Sequence, residues 1–387
     1  MSLLPYGLVE LPAWGYWLVT FLTIQTMFLG VTLYLHRDQS HGGLILHPAL
    51  RHVFRFWLWF SSGAITKDWV AVHRCHHAHA DRPGDPHSPV VFGLRRVLFE
   101  GAELYRAAAR DPQLLRTYGR GTPDDWLERH LYGNHAYTGI VLFVLAHLVL
   151  FGVYGIIMIA VHLVAQPFFA GGVINGLGHA VGYRSFEMPS RATNLVPWAL
   201  LLGGEELHNN HHAFPRSPRF AVQRWEIDIG WLWIRLFRAL GLARVRWVAP
   251  RPHLGRRRRE LDAETVRALF TNRMHVLRDY GRRVVLPVCR ELARREGRGA
   301  LPPSAPQLLI RHPAVLADEA RPKLRELLEK YEVLRRVVEY RDGLQQLWNE
   351  NPARALTQLR EWCRRAEDSG IGALREFAQG LPAYGHG

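Results

Sequence analysis

Three short segments concentrate histidine: His36-Arg37-Asp38-Gln39-Ser40-His41, His73-Arg74-Cys75-His76-His77 and His208-Asn209-Asn210-His211-His212. Neutral imidazole is a good ligand for iron, zinc or copper. In HxxHH the histidines at i, i+3 and i+4 share one side of a helix. Each of the last two segments can therefore present three imidazoles toward a common centre. The first segment is spaced i, i+5, about 140° around an α-helix. Its two rings cannot point the same way from a continuous α-helix. Either the helix ends between them, or His41 reaches in from a turn that Gly42-Gly43 permits. A zinc site takes three or four ligands; these eight histidines are too many for one metal and suit two. Cys75, Cys289 and Cys363 are far apart and offer no thiolate pair. The pattern reads as an all-histidine pair of irons rather than the carboxylate-bridged site of a helix bundle.

Such groups need elements to position them, and the apolar runs supply these. Residues 11–35 carry no charged side chain, enough to cross a hydrocarbon core that needs about 20 residues. Trp14, Tyr16 and Trp17 stand at its start, where interfacial aromatics belong. Residues 131–183 hold no Asp, Glu, Lys or Arg, and fit two spans joined by a short turn near residues 151–155. Residues 54–72 are interrupted by Arg55, Lys67 and Asp68, and predict a re-entrant or interfacial helix. Residues 95–111 are amphipathic, with Val97, Leu98, Ala102, Leu104 and Tyr105 on one side, and predict a helix on the membrane surface. Residues 192–204 are apolar but too short to cross. Three spans put all three histidine segments on one face. Residues 1–10 have no Lys or Arg, whereas residues 74–129 and the tail are Arg-rich. The positive-inside rule then places the N-terminus outside and the histidines in the cytosol. No cleavable signal peptide is expected.

The chain has 387 residues and a formal charge of +15, a balance that admits nucleic acid or a cytosolic membrane face as partner. From residue 251 it becomes rich in Arg, Glu and Leu, opening with Arg256, Arg257, Arg258 and Arg259. Leu324, Leu327, Leu328, Tyr331, Leu334 and Val338 recur at helical spacing, and a Pro-rich break spans residues 301–313. The expected fold is all-α. Residues 1–250 form multi-pass membrane helices with a cytosolic, histidine-rich di-iron cap, and residues 251–387 a basic helical cytosolic extension.

The boxes HxxxxH, HxxHH and HxxHH resemble those of the membrane fatty acyl desaturases, of the stearoyl-CoA delta-9 type. The resemblance runs over residues 11–248. Asp68-Trp69 before the second box, Asp85-Pro86-His87 after it, Asn175-Gly176-Leu177-Gly178-His179, and the run HNNHHAFP at residues 208–215 agree with that family's pattern. The resemblance implies two iron ions with nine histidine ligands: His36, His41, His73, His76, His77, His179, His208, His211 and His212. It also implies a metal-bound water held by Asn175. His179 is singled out independently, as an ionisable side chain at the end of an apolar run. His135, His147 and His162, in the same run, are read as packing or interfacial residues. The implied reaction removes two hydrogens from adjacent methylenes of a long acyl chain, with molecular oxygen as oxidant, commonly leaving a cis double bond at carbon nine. No side chain need act as acid or base, because the metal centre carries the chemistry; the protein supplies a bent apolar tunnel. The head group of an acyl-CoA or acyl-lipid would meet Lys67, Arg74, Arg82 and Arg184 at the tunnel mouth. With no His-Pro-Gly-Gly haem segment, the electrons would come from a separate ferredoxin, rubredoxin or cytochrome-type donor with its reductase.

Two other readings stay open on the sequence. A membrane hydroxylase of alkanes, sterols or carotenoids would share the boxes and differ in its product. A non-catalytic membrane protein with a nucleic-acid-binding tail would use the tail's arginines on phosphates. Residues 362–384 faintly resemble the helical end of some bacterial transposases. Acidic residues interleaved through the tail weigh against nucleic acid, and this reading leaves the histidines unexplained.

Overall fold

A computed structural model describes residues 7–254, 261–297 and 299–385. Arg256, Arg257, Arg258 and Arg259 lie outside the described residues. The chain divides into two compact units, Met1–Arg184 with Arg191–Ala249, and Ser185–Ser190 with Pro250–Gly387. Both are helical. The strands among the described residues form three two-stranded pairings, which qualify the all-α expectation.

The first unit is built on two helical stretches long and apolar enough to cross a membrane, Ala13–Ser40 and Ala136–His179. Helix α1 (Ala13–Gly30) exposes Trp14, Trp17, Phe21 and Leu22, a patch suited to lipid rather than water. It runs on as a π-helix over Val31–Ser40. Helix α2 (Pro48–Ser62) begins on a proline, whose fixed φ suits the first turn, and stops at Gly63, φ +66°. That left-handed cap separates it from α3 (Thr66–His79). The single interfacial helix expected over residues 54–72 is therefore two helices broken at Gly63.

Helix α4 (Leu94–Ala109) buries Val97, Gly101 and Leu104, the apolar side that its sequence displays. Its backbone comes close to the next helix: a Cβ on Gly101 would stand 3.0 Å from the carbonyl carbon of Gly171. Small residues permit such approaches between membrane helices. Helix α5 (Ala136–Gln166) continues through Pro167–Ile174 to Leu177–His179. It is not straight. Gly152 has φ 56° and ψ −135°, and the rings of Phe143 and His162 lie 4.7 Å apart. A straight helix would hold those residues about 28 Å apart at 1.5 Å per residue. The stretch is a hairpin of two arms, turning within residues 151–155 as the charge-free run suggested.

Beyond α5 the apolar run at 192–204 is largely irregular, and Trp198–Ala199 pairs in parallel with Ile227–Asp228. It leads into the short helix α6 (His208–Ala213). Leu44–Leu46 pairs antiparallel with Ala243–Val245, so the chain after the first histidine segment is tied to the end of the unit.

The second unit has its own core, including Val276, Leu309, Leu334, Trp362 and Leu374. Leu327, Tyr331 and Leu334 are buried in it, as their spacing indicated. Tyr331 ends one helix (Ala320–Lys330) and precedes another (Glu332–Gln346). The Pro-rich break contains the short helix Ala305–Ile310.

Candidate metal centre

The nine histidines gather into two groups: His36, His41, His73, His77 and His211, and His76, His179, His208 and His212. Within each group the possible ligand atoms lie within 4.8 Å of one another. Each HxxHH box is divided between the groups rather than aimed at one. On a helix, i+4 lies about 40° to one side of i and i+3 about 60° to the other. His73 and His77 of α3 accordingly face one group while His76 faces the second. On α6, His208 and His212 pair in the second group and His211 joins the first.

The first box is resolved by the π-helix. The amide of His41 donates to the carbonyl of His36, five residues back, at 3.1 Å. Five residues in that geometry return to nearly the same face. The two rings, 5.0 Å apart, enter the same group, with His41 capping the helix that ends at Ser40 and Gly42, φ +62°, turning the chain behind it.

Six contacts bring Nε2 atoms against one another. They are 2.9 Å for His36–His211, His41–His73 and His77–His211, 3.0 Å for His179–His208, 3.2 Å for His208–His212 and 3.3 Å for His76–His212. The opposite nitrogens of three rings meet carboxylates. Nδ1 of His36 lies 2.7 Å from Glu205, that of His76 2.9 Å from Asp85, and that of His179 2.9 Å from Asp81. A carboxylate accepts the Nδ1 proton and leaves a bare Nε2 lone pair. Lone pairs converging at 3 Å repel unless a cation lies between them. With a metal–nitrogen distance of about 2.1 Å, the ligand–ligand edge of an octahedron is about 3.0 Å, so the donor set fits two metal ions. Burial, reinforced by repulsion from neighbouring rings and in places by a nearby arginine, pulls His73, His77, His208, His211 and His212 well below the ordinary histidine range and His41 down to about 3. These rings are neutral, the form that binds metal.

Several supporting residues escaped the sequence reading. Asp81 takes φ +62°, rare outside glycine but tolerated by Asp and Asn. Its carboxylate accepts from His179, the Arg191 amide and the Ser88 hydroxyl. Burial raises its pKa, but the bonds from His179 and its other donors override this and hold it below the usual carboxylate range. Glu205 stands three residues before His208, an ExxH spacing that went unread. It accepts from His36 and Thr32, and burial pushes its carboxyl up to about 8. An acidic residue directly after the apolar run 192–204 was the available signal. Asn209 and Asn210, inside the third box, are buried anchors: Asn209 donates to Ala192 O, and Asn210 to Phe220 O and Glu226.

An apolar cavity of about 570 Å³ abuts both groups, with His36, His73 and His208 in its wall beside Trp69, Val72 and Ile174. Asn175 also lines it. None of Lys67, Arg74, Arg82 and Arg184 does; the cations on its wall are Arg106 and Arg110, which went unread. Arg74 instead donates to the carbonyls of Gln39, Ser40, Tyr118 and Arg120, clamping the first box. Arg184 donates to Ala192 O. Lys67 packs along Gly119, and Arg82 is exposed. On another side, an open groove of about 820 Å³ reaches His41; Arg51 is paired there with Asp38 and Arg55 with Asp125 and Glu128, and Arg74 and Arg246 add further positive charge to its rim. Cys75 is buried, burial pushing its thiol up to about 11; it belongs to neither group.

Two histidine groups able to hold metal, in a unit with helices long and apolar enough to cross a membrane and opening on an apolar cavity, mark a candidate metal-binding membrane protein. Comparison with known proteins narrows the class: the fatty acid desaturase profile matches residues 12–229. A delta-9 desaturase-like protein of Arabidopsis thaliana is 30% identical over 56% of this chain and 71% of its own length. The sn-1 stearoyl-lipid 9-desaturase of Anabaena variabilis is 30% identical over 56% and 77%. An acyl-CoA 5-desaturase of Anemone leveillei is 32% identical over 59% and 70%. The chain belongs to the fatty acid desaturase family. Residues 268–386 match a transposase profile, in keeping with the resemblance noted for the tail.

Proposed function

We propose that the chain is a multi-pass membrane enzyme that desaturates a long-chain acyl-CoA or acyl-lipid, placing a cis double bond at the delta-9 position. The observation that carries this reading is the junction of the two histidine groups with the apolar cavity. His36, His41, His73, His77 and His211 would hold one iron, and His76, His179, His208 and His212 the other, with Asn175 oriented to a bound water. Two irons there supply oxygen-dependent abstraction of hydrogen from unactivated methylenes. The residues do the rest. Glu205, Asp81 and Asp85 orient rings and fix their tautomers, and the Trp69–Val72 wall excludes water and aligns the chain. Arg106 and Arg110 stand where an acidic head group could be met. A separate donor delivers electrons from the side of His41, whose basic groove suits an acidic redox protein. By the positive-inside rule that groove faces the cytosol.

The test is expression in a host lacking the activity, with cellular acyl chains measured by gas chromatography and mass spectrometry. New monounsaturated chains that vanish in His76→Ala and His211→Ala are expected, and their bond position settles the regiochemistry. Unchanged acyl chains, despite two bound irons and a working donor, would overturn the reading. Hydroxylated products would move the assignment to a membrane hydroxylase, which the same centre could serve.

A further inference from the structure

His162 is buried to 1% exposure in the second arm of α5. Neither ring nitrogen meets a partner in good hydrogen-bond geometry; the Ser61 backbone is the polar group near enough to interact with the ring. Its ring lines the apolar cavity. An ionisable side chain inside an apolar span, with both polar atoms unpartnered, is costly to keep. The sequence reads it as packing, yet packing would be served better by an apolar residue.

Its neighbours make the spot a site rather than an accident. His162, Gln166, Ala170 and Ile174 recur every four residues along one face of the arm and all line the cavity. The stripe is polar at the His162 end and apolar toward the metal centre. Across from it stand Ser61 and Ser62 of α2. Their hydroxyls donate to Trp57 O and Leu58 O, each at 2.7 Å, leaving lone pairs free to accept. The cavity follows α3 from His73 past Trp69 to Ile65, about 12 Å of helix. The polar end is thus within reach of a long chain threaded past the histidines.

We infer that His162, with Gln166, Ser61 and Ser62, is a hydrogen-bonding subsite for a hydroxyl group carried on the acyl chain. Neutral imidazole offers one donor and one acceptor, and a hydroxyl answers with one of each. The arm that carries His162 offers no charged partner, because residues 131–183 hold no Asp, Glu, Lys or Arg; the charged side chains of this cavity, Asp68, Arg106, Arg110 and Glu205, stand on other elements. The inference rests on the cavity being the acyl site, as proposed above, and it narrows the substrate class to hydroxylated acyl chains.

The experiment is direct binding to the purified full-length chain in detergent, using stearic acid and positional isomers of hydroxystearic acid. Cellular acyl analysis runs in parallel. One isomer should bind about tenfold tighter than stearic acid, the worth of one to two good hydrogen bonds. His162→Phe should abolish that preference, bringing the isomer to the affinity of stearic acid, and His162→Gln should restore part of it. Equal affinity across the series, a preference that survives His162→Phe, or no binding above the detergent background would overturn the inference; a trapped water at His162 gives the first of these. Hydroxyl preference without any new double bond in cells would instead sink the desaturase reading and leave the subsite standing.

Discussion

Replacing Asp81 by Asn tests the division of the histidines into two separable centres. Asp81 touches the His76 group alone, through His179 Nδ1 at 2.9 Å. Asn is the substitution that isolates charge. It tolerates the φ of +62°, its oxygen can still accept from His179 and the Arg191 amide, and its NH2 can turn to the Ser88 hydroxyl. What is lost is the carboxylate that makes the imidazole more basic and fixes its proton on Nδ1. Partners of this kind are worth about 10–100-fold in metal affinity, or about 1.4–2.7 kcal/mol. The assay loads purified protein with ferrous iron, challenges it with graded chelator and counts retained iron by mass spectrometry. Wild type should keep two equivalents. Asp81→Asn should release one at about 10–100-fold lower chelator while the second leaves at the wild-type concentration, with little change in thermal unfolding. Retention of both at wild-type concentrations would refute the role given to Asp81. Loss of both together would refute two independent groups.

Three further outcomes follow from the geometry. Arg246→Glu, at the groove beside His41, should slow turnover with an acidic donor several-fold and flatten its dependence on ionic strength; an unchanged salt profile would remove the groove as the docking face. Truncation at residue 256 should leave desaturation intact in cells, since the histidines and their carboxylates all lie between residues 36 and 212; abolished products from a folded, iron-loaded truncate would make the tail part of the catalytic unit. Burial and the nearby Arg278 hold His275, 1% exposed, down to about 4. Its folded pKa lies below the unfolded one, so the unfolded chain takes the proton first. Its contribution is full above about pH 6.5 and falls by about 3 kcal/mol toward pH 4. Amide exchange around His275 should accelerate over that window and lose part of its pH dependence in His275→Phe.

Much of the site was legible because imidazole spacing is a statement about helix faces. HxxHH announced imidazoles on one side of a helix, and a charge-free run with His179 near its end marked a ninth. What spacing could not reveal is how a third of a turn is used. The 100° between i+3 and i+4 can splay rings around one ion or send them to two. Only the packing of α3 against α6 and the end of α1 decides. The i, i+5 box is incompatible with a continuous α-helix, and the fold answers as the spacing allowed, with His41 just past the helix end; that this helix is a π-helix is invisible to hydrophobic periodicity. Asp81 and Glu205 were unreadable for another reason: they serve histidines 98 and 169 residues away in sequence. Arg74 is the sharpest case. Its charge beside a histidine box suggested a phosphate contact, yet the structure spends its donors on four carbonyls of the loops around His41. An arginine's role depends on which acceptors the fold brings within reach, and sequence records the donor alone. By the same logic the sequence reads His162 as packing: its identity is plain, and only the cavity beside it shows what else its ring could meet.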